Sequence, residues 1–384
     1  MEDKKIQRSC SLDRAMVVFT VVQAAYVIQW PYDYSVYMHD RLNQRDIGLV
    51  VAMQQISSLV AYMFPCPWGS RRVLIIACQI MGFSSCLLKL NHIFSPAAII
   101  QGIAIGTTAA VLDLKHAAKQ VSFYQPTVSM MSWALASVVV DTLHLSPEAV
   151  YFVACYGFLC GAVVSYLLLD DDNFIQHQSI SRKVERLTQS ILAHLEHWNL
   201  SLIFISRTCI EASSAVALAV YPMLARRPCS SITPSVGMLL VLRTALYVGG
   251  LVFTRTLAGS RGCWRFIQLL GCITTLTGVV TLGSAKGDNE ACFGNLLLAL
   301  GASQCGVGLP GSSYAITGNL VASGVIALPV QGGRRHFLIA VTRTGNLLYV
   351  ALCCLILLIT MDYCSRPKRC AAMRNCNQLR VNYS

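Results

Sequence analysis

The sequence predicts an all-α fold, a polytopic membrane helical bundle of about twelve transmembrane helices in two six-helix halves. Three observations lead there. Residues are 55% hydrophobic and only 12% charged, with a mean hydropathy of +0.55, outside the balance of water-soluble chains. Apolar runs of membrane-spanning length recur along the whole chain. A basic turn occurs twice, half a chain apart.

The runs follow from bilayer thickness, since a hydrocarbon core of about 30 Å needs about 20 helical residues. The first six cover 15–37, 47–66, 73–90, 96–112, 126–143 and 148–169. The apolar core of the first runs past "QWPYDY" without a small-residue cleavage pattern, so it reads as a retained helix and not a signal peptide. The second six cover 198–221, 233–254, 264–282, 291–309, 313–330 and 336–360. Between 291 and 330 only "GLPG" at 308–311 interrupts the run, and its proline and glycines favour a hairpin or re-entrant break over one overlong helix.

These runs divide the chain into an N-terminal half (1–169), a polar linker (170–197), a C-terminal half (198–360) and a basic tail (361–384). The turn "PWGSRRVLIIACQIMGF" at 67–83 is echoed by "LAGSRGCWRFIQLLGC" at 257–272. Gly69 matches Gly259 and Arg71 matches Arg261 at an offset of 190, while Gln79 matches Gln268 and Gly82 matches Gly271 at 189. An offset near half the chain length points to an internal repeat.

Basic residues set the orientation. With the N-terminus inside, inner segments and the run ends beside them hold 19 Lys and Arg, and outer loops with their run ends hold 8. Both termini are therefore expected on the cytoplasmic side, with Arg71, Arg72, Arg261 and Arg265 as topology anchors. The net charge of +12 is a consequence of this asymmetry and calls for no nucleic-acid partner. The partner it implies is the bilayer, because the tail "CSRPKRCAAMRNCNQLR" lies beside anionic headgroups. Cys364 and Cys370 within that tail are candidate palmitoylation sites. Most of the 17 cysteines lie inside apolar runs, as small core residues.

No metal or cofactor is expected. Gly306, Gly308 and Gly311 spell a dinucleotide fingerprint, but within a membrane run and around a proline. No enzyme motif is present, and the cytoplasmic placement of Asn199 and Asn382 argues against glycosylation there. The intramembrane charges Arg207, Glu211, Arg243 and Arg343 fall near one depth and make a candidate polar pocket with Glu211 as counter-ion. Asp33 sits among Trp30, Tyr32 and Tyr34, which reads as an interfacial aromatic belt. Asp113, Lys115, His116 and Lys119 read as a solvated inner turn, and Asp141 with His144 as an outer helix end.

Two six-helix halves with a basic turn after the second helix of each resemble the major facilitator architecture. The family's turn carries an Asp-Arg that "GSRRVL" lacks. With that loss and the "LLLDDD" exit from the sixth run, the chain also resembles the multi-spanning, non-glycosylated envelope or tegument-associated membrane proteins of alphaherpesviruses. That resemblance implies a virion membrane component acting through assembly, trafficking or binding to viral envelope or tegument proteins. The alternative is a secondary transporter of a small polar or anionic solute.

Overall fold

The structure, a computed structural model, describes residues 2–64, 70–112, 118–169, 201–206, 208–210, 212–213, 236–257, 261–284, 288–304 and 321, with 349–350, 353–354 and 356–357. Among these residues the elements are all helical. They are α1 (Glu2–Val27), α2 (Trp30–His39), α3 (Gln44–Met63), α4 (Arg71–Leu90), α5 (Phe94–Leu112), α6 (Ala118–Ser137, continuing as a π-helical segment Val138–Thr142), α7 (Ala149–Leu168), α8 (Val236–Leu257), α9 (Arg261–Ser284) and α10 (Asp288–Gln304). Among the described residues, four helical stretches are long and apolar enough to cross a membrane: Arg14–Asp33, Arg71–Leu90, Phe94–Leu112 and Ala149–Leu168.

The expected first run is not one helix. α1 stops at Val27 and α2 begins at Trp30. Pro31 is the cause, because its ring excludes the carbonyl four residues back and it has no N–H to offer that carbonyl. The orphan is the Val27 oxygen, and it is taken by the Trp133 indole Nε1 from α6 at 3.0 Å. Gln29, in the break, donates its side-chain Nε2 to the Ala25 oxygen at 3.0 Å. Trp133→Phe strands the Val27 carbonyl and is expected to cost about 1–3 kcal/mol in thermal or denaturant unfolding. Adding Pro31→Ala, which restores a backbone donor, should recover part of that loss.

α4 and α7 are antiparallel, and their contacts keep one register. Gln79 lies against Gly161 and Gly82 against Phe158, where a Cβ on either glycine would come within 2.9 and 2.6 Å of the opposing side chain. The next rungs are Cys86 beside Cys155 and Lys89 over the Tyr151 ring, 5.2 Å from its centroid. The residues of α4 that are buried, among them Ile75, Cys78, Gln79, Gly82, Cys86 and Lys89, recur at three- and four-residue spacing. α7 turns the opposite stripe outward, with Phe152, Tyr156, Leu159, Val163 and Tyr166 all exposed. An apolar stripe turned outward is what a lipid-facing helix requires. Cys160 lies on that outer surface rather than in the core expected of it.

α3 packs on α5 through Gly102 and Gly106, whose missing side chains leave room for the backbone of α3 at Gln54 and Ser58. α9 and α10 approach as closely, for a Cβ on Gly278 would lie 2.7 Å from the Gly294 carbonyl oxygen. Small residues at such contacts let helices associate by backbone packing where no water drives them together. The two halves meet where α8 packs on α6, with Val241 against the Val27–Trp133 cluster.

The repeated turn gains a structural counterpart. α4 starts at Arg71 and α9 at Arg261, the same offset of 190 seen in the sequence. Gln79 and Gln268 are both buried.

Candidate functional site

The first turn of α2 places Asp33 against α4 and α7. Lys89 donates to Asp33 Oδ1 at 2.9 Å and Oδ2 at 3.2 Å, and to Gln29 Oε1 at 3.1 Å. Tyr151 donates its hydroxyl to Asp33 Oδ1 at 2.8 Å. The Lys89 side chain is fully buried and that of Asp33 is 14% exposed. An ammonium in such surroundings is tolerated because a carboxylate, a carboxamide oxygen and an aromatic face all meet it. The aromatic-belt reading of Asp33 is therefore corrected: Asp33 is the counter-ion of a buried lysine.

A second carboxylate lies on the π segment of α6. Asp141 Oδ2 accepts the Tyr32 hydroxyl at 2.7 Å and the Ser137 hydroxyl at 2.9 Å. Asp141 is thus joined to the neighbour of Asp33 in the chain, and His144 is exposed with a φ of 52°. At the same end, His92 Nδ1 and Asp40 Oδ2 pair at 2.8 Å, joining the turn after α2 to the turn after α4. The hydrogen bond to Asp40 raises the His92 pKa above its ordinary value, with the Asp40 charge next and Glu148 adding. A raised folded value means that the tie is complete below about pH 6.5 and is lost as pH rises through the folded pKa. Asp40→Asn should lower the His92 titration midpoint measured by NMR; an unmoved midpoint would exclude the pair.

The opposite face is held by the repeated turn. Arg71 Nη2 donates to the Leu112 carbonyl at 2.7 Å, at the end of α5. Arg72 Nε donates to the Leu169 carbonyl at 2.7 Å, after α7, and its guanidinium lies 5.4 Å from the Tyr166 ring centroid. Cations at helix C-termini satisfy orphan carbonyls and complement the helix dipole. Both arginines are thus structural clamps on helix ends.

Of the intramembrane quartet, only Arg243 lies among the residues whose side chains are described. It is buried at 7% exposure on α8, the helix that packs on α6. Arg207, Glu211 and Arg343 lie outside the described residues, as do Cys364, Cys370, the Asp113–His116 turn and the side chains of Lys119, Arg261 and Arg265. Among the described residues no group of histidine, cysteine and acidic side chains is arranged to hold a metal.

Solved structures share this architecture. The nucleoside transporter NupG superposes with a TM-score of 0.67 at 11% identity, over 90% of this chain and 98% of that one. A bacterial homologue of the human drug peptide transporters PepT1 and PepT2 gives 0.64 at 13% identity, over 94% of this chain and 99% of that one. The human organic anion transporter MFSD10 (TETRAN) gives 0.55 at 13% identity, over 90% and 99%. At these identities the likeness is one of fold, and the fold is a helical membrane bundle of the major-facilitator type. No protein-family model and no curated protein matches the sequence.

Sequence reasoning missed the Lys89 cluster. Its one available signal was a lysine inside the third apolar run, 56 residues from an aspartate in the first.

Proposed function

We propose that this chain is a multi-pass membrane carrier for a small polar or anionic solute, which binds where the two halves meet. The observation that carries the reading is Arg243, a guanidinium buried on the helix that joins the C-terminal half to α6. A buried arginine at mid-membrane faces a partner or water, and a carrier for an anion uses such a charge as its counterpart. The named substrates of the structural neighbours, nucleosides, peptides and organic anions, supply the solutes to test. Saturable uptake of one of them into proteoliposomes is expected. Arg243→Gln should lower uptake of an anionic solute at least about tenfold, the loss of one charge-assisted contact. Uptake no greater than in protein-free vesicles would overturn the reading.

A second reading is a virion envelope or tegument-associated membrane protein of the alphaherpesvirus kind, acting by binding viral partners. Two features favour it: the family's Asp-Arg is absent from both turns, and Arg71 and Arg72 are committed to helix ends. Purified virions should then contain the chain, with envelope or tegument proteins co-purifying. In either reading both termini lie in the cytosol, and Cys364 or Cys370 carries an acyl chain. A terminal tag at Ser384 shielded from protease in vesicles with their cytoplasmic face outward would refute the orientation, and acyl-exchange labelling tests the cysteines.

A further inference from the structure

Two departures from regular helix lie side by side in the N-terminal half. One is the break between α1 and α2 at residues 28–29, and the other is the π-helical segment Val138–Thr142 at the end of α6. π-helical turns are rare and occur frequently at functional sites. Here two hydrogen bonds join α6 to the helices on either side of the break. Trp133 Nε1 reaches the Val27 oxygen at 3.0 Å, and Tyr32 reaches Asp141 Oδ2 at 2.7 Å.

The two ties differ in kind. The Trp133 bond is buried and backed by Val241 of the other half, whereas the Tyr32–Asp141 bond is partly exposed. Along α6 they are eight residues apart, about 12 Å at helical rise. α2 itself is braced independently of α6, through Asp33 to Lys89 and Tyr151 and through the edge-to-face pair Tyr37–Phe94 with centroids 4.8 Å apart. α2 is therefore a fixed post, whereas the far end of α6, which also packs on α7, has an irregular backbone and a polar tie to α2 that is only partly buried. α6 is also the helix on which α8 packs.

We infer that Trp133–Val27 is a pivot and Tyr32–Asp141 a latch, so that releasing the latch lets the end of α6 swing away from α2 and open the seam beside α8. The inference deepens the carrier reading by placing a gate at that seam. Its test reads motion and not uptake, so that failure of one leaves the other standing.

The experiment is hydrogen–deuterium exchange of the full chain in detergent or nanodiscs, followed on peptides covering 132–145, 149–168 and 71–90. Tyr32→Phe and Asp141→Asn should each speed exchange of amides 138–145 about tenfold and leave 149–168 and 71–90 unchanged. The double variant should match the singles, because both remove one bond. Ser137→Ala, which spares the Tyr32–Asp141 bond, should have a smaller effect than either. Unchanged exchange at 138–145 in Tyr32→Phe would overturn the latch. Faster exchange spread equally through α4 and α7 would also overturn it, since that is loosening of the whole bundle.

Discussion

Asp33→Ala is expected to destabilise the protein by about 3–5 kcal/mol, because it leaves a fully buried ammonium without its counter-ion. Lys89 would keep only the Gln29 oxygen and the Tyr151 ring, and neither carries a formal charge. Lys89→Met should cost less, since Asp33 is partly exposed and retains the Tyr151 hydroxyl. Replacing both, as Asp33→Leu with Lys89→Met, should return stability close to that of the wild type, as buried ion pairs commonly yield to apolar residues of similar size. Thermal denaturation in detergent, followed by size-exclusion chromatography of the surviving monomer, measures all three. If Asp33→Ala melted with the wild type, the buried pair would not be holding the bundle.

Gly106→Leu is the second large effect, expected to cost at least about 3 kcal/mol, the top of the range for overpacking. The new Cβ would strike the Ser58 carbonyl and approach the Tyr62 amide nitrogen, and backbone atoms of a helix cannot step aside without parting α3 from α5. Gly102→Ala meets both the Ser57 hydroxyl and the Gln54 carbonyl. Ser57→Gly should therefore fail to rescue Gly102→Ala. Rescue would mean that the side chain alone sets the spacing. Expression level and the same chromatographic melt decide it.

The apolar runs were legible because hydropathy is a property of contiguous residues. Expected boundaries at 73–90, 96–112 and 148–169 differ from α4, α5 and α7 by one or two residues. Pairing is not contiguous. Tyr151 and Asp33 are 118 residues apart, and no window average contains both. Asp33 stood beside Trp30, Tyr32 and Tyr34, and that local company favoured an interfacial reading which the fold overrides. Pro31 was a visible signal for the helix break, whereas the π segment was not, for "VVVDT" carries no residue that forbids an ordinary helix. The Arg71 turn was read for its charge and position, and its hydrogen bonds to Leu112 and Leu169 depend on which helix ends arrive beside it.

Those two bonds also imply an order of events during synthesis. Arg72 precedes its acceptor Leu169 by 97 residues, and Arg71 precedes Leu112 by 41. At about 5–20 residues per second, the carbonyl that Arg72 binds is made roughly 5–20 s after Arg72 itself. During that interval the guanidinium has no α7 end to hold, and in the proposed topology its charge, set against lipid headgroups, would keep the turn on its side of the bilayer. In that topology the same side chain would serve first as an electrostatic marker for the emerging chain and afterwards as a fastener of the finished bundle. A neutral glutamine at position 72 would be missed twice, once by the insertion machinery and once by α7.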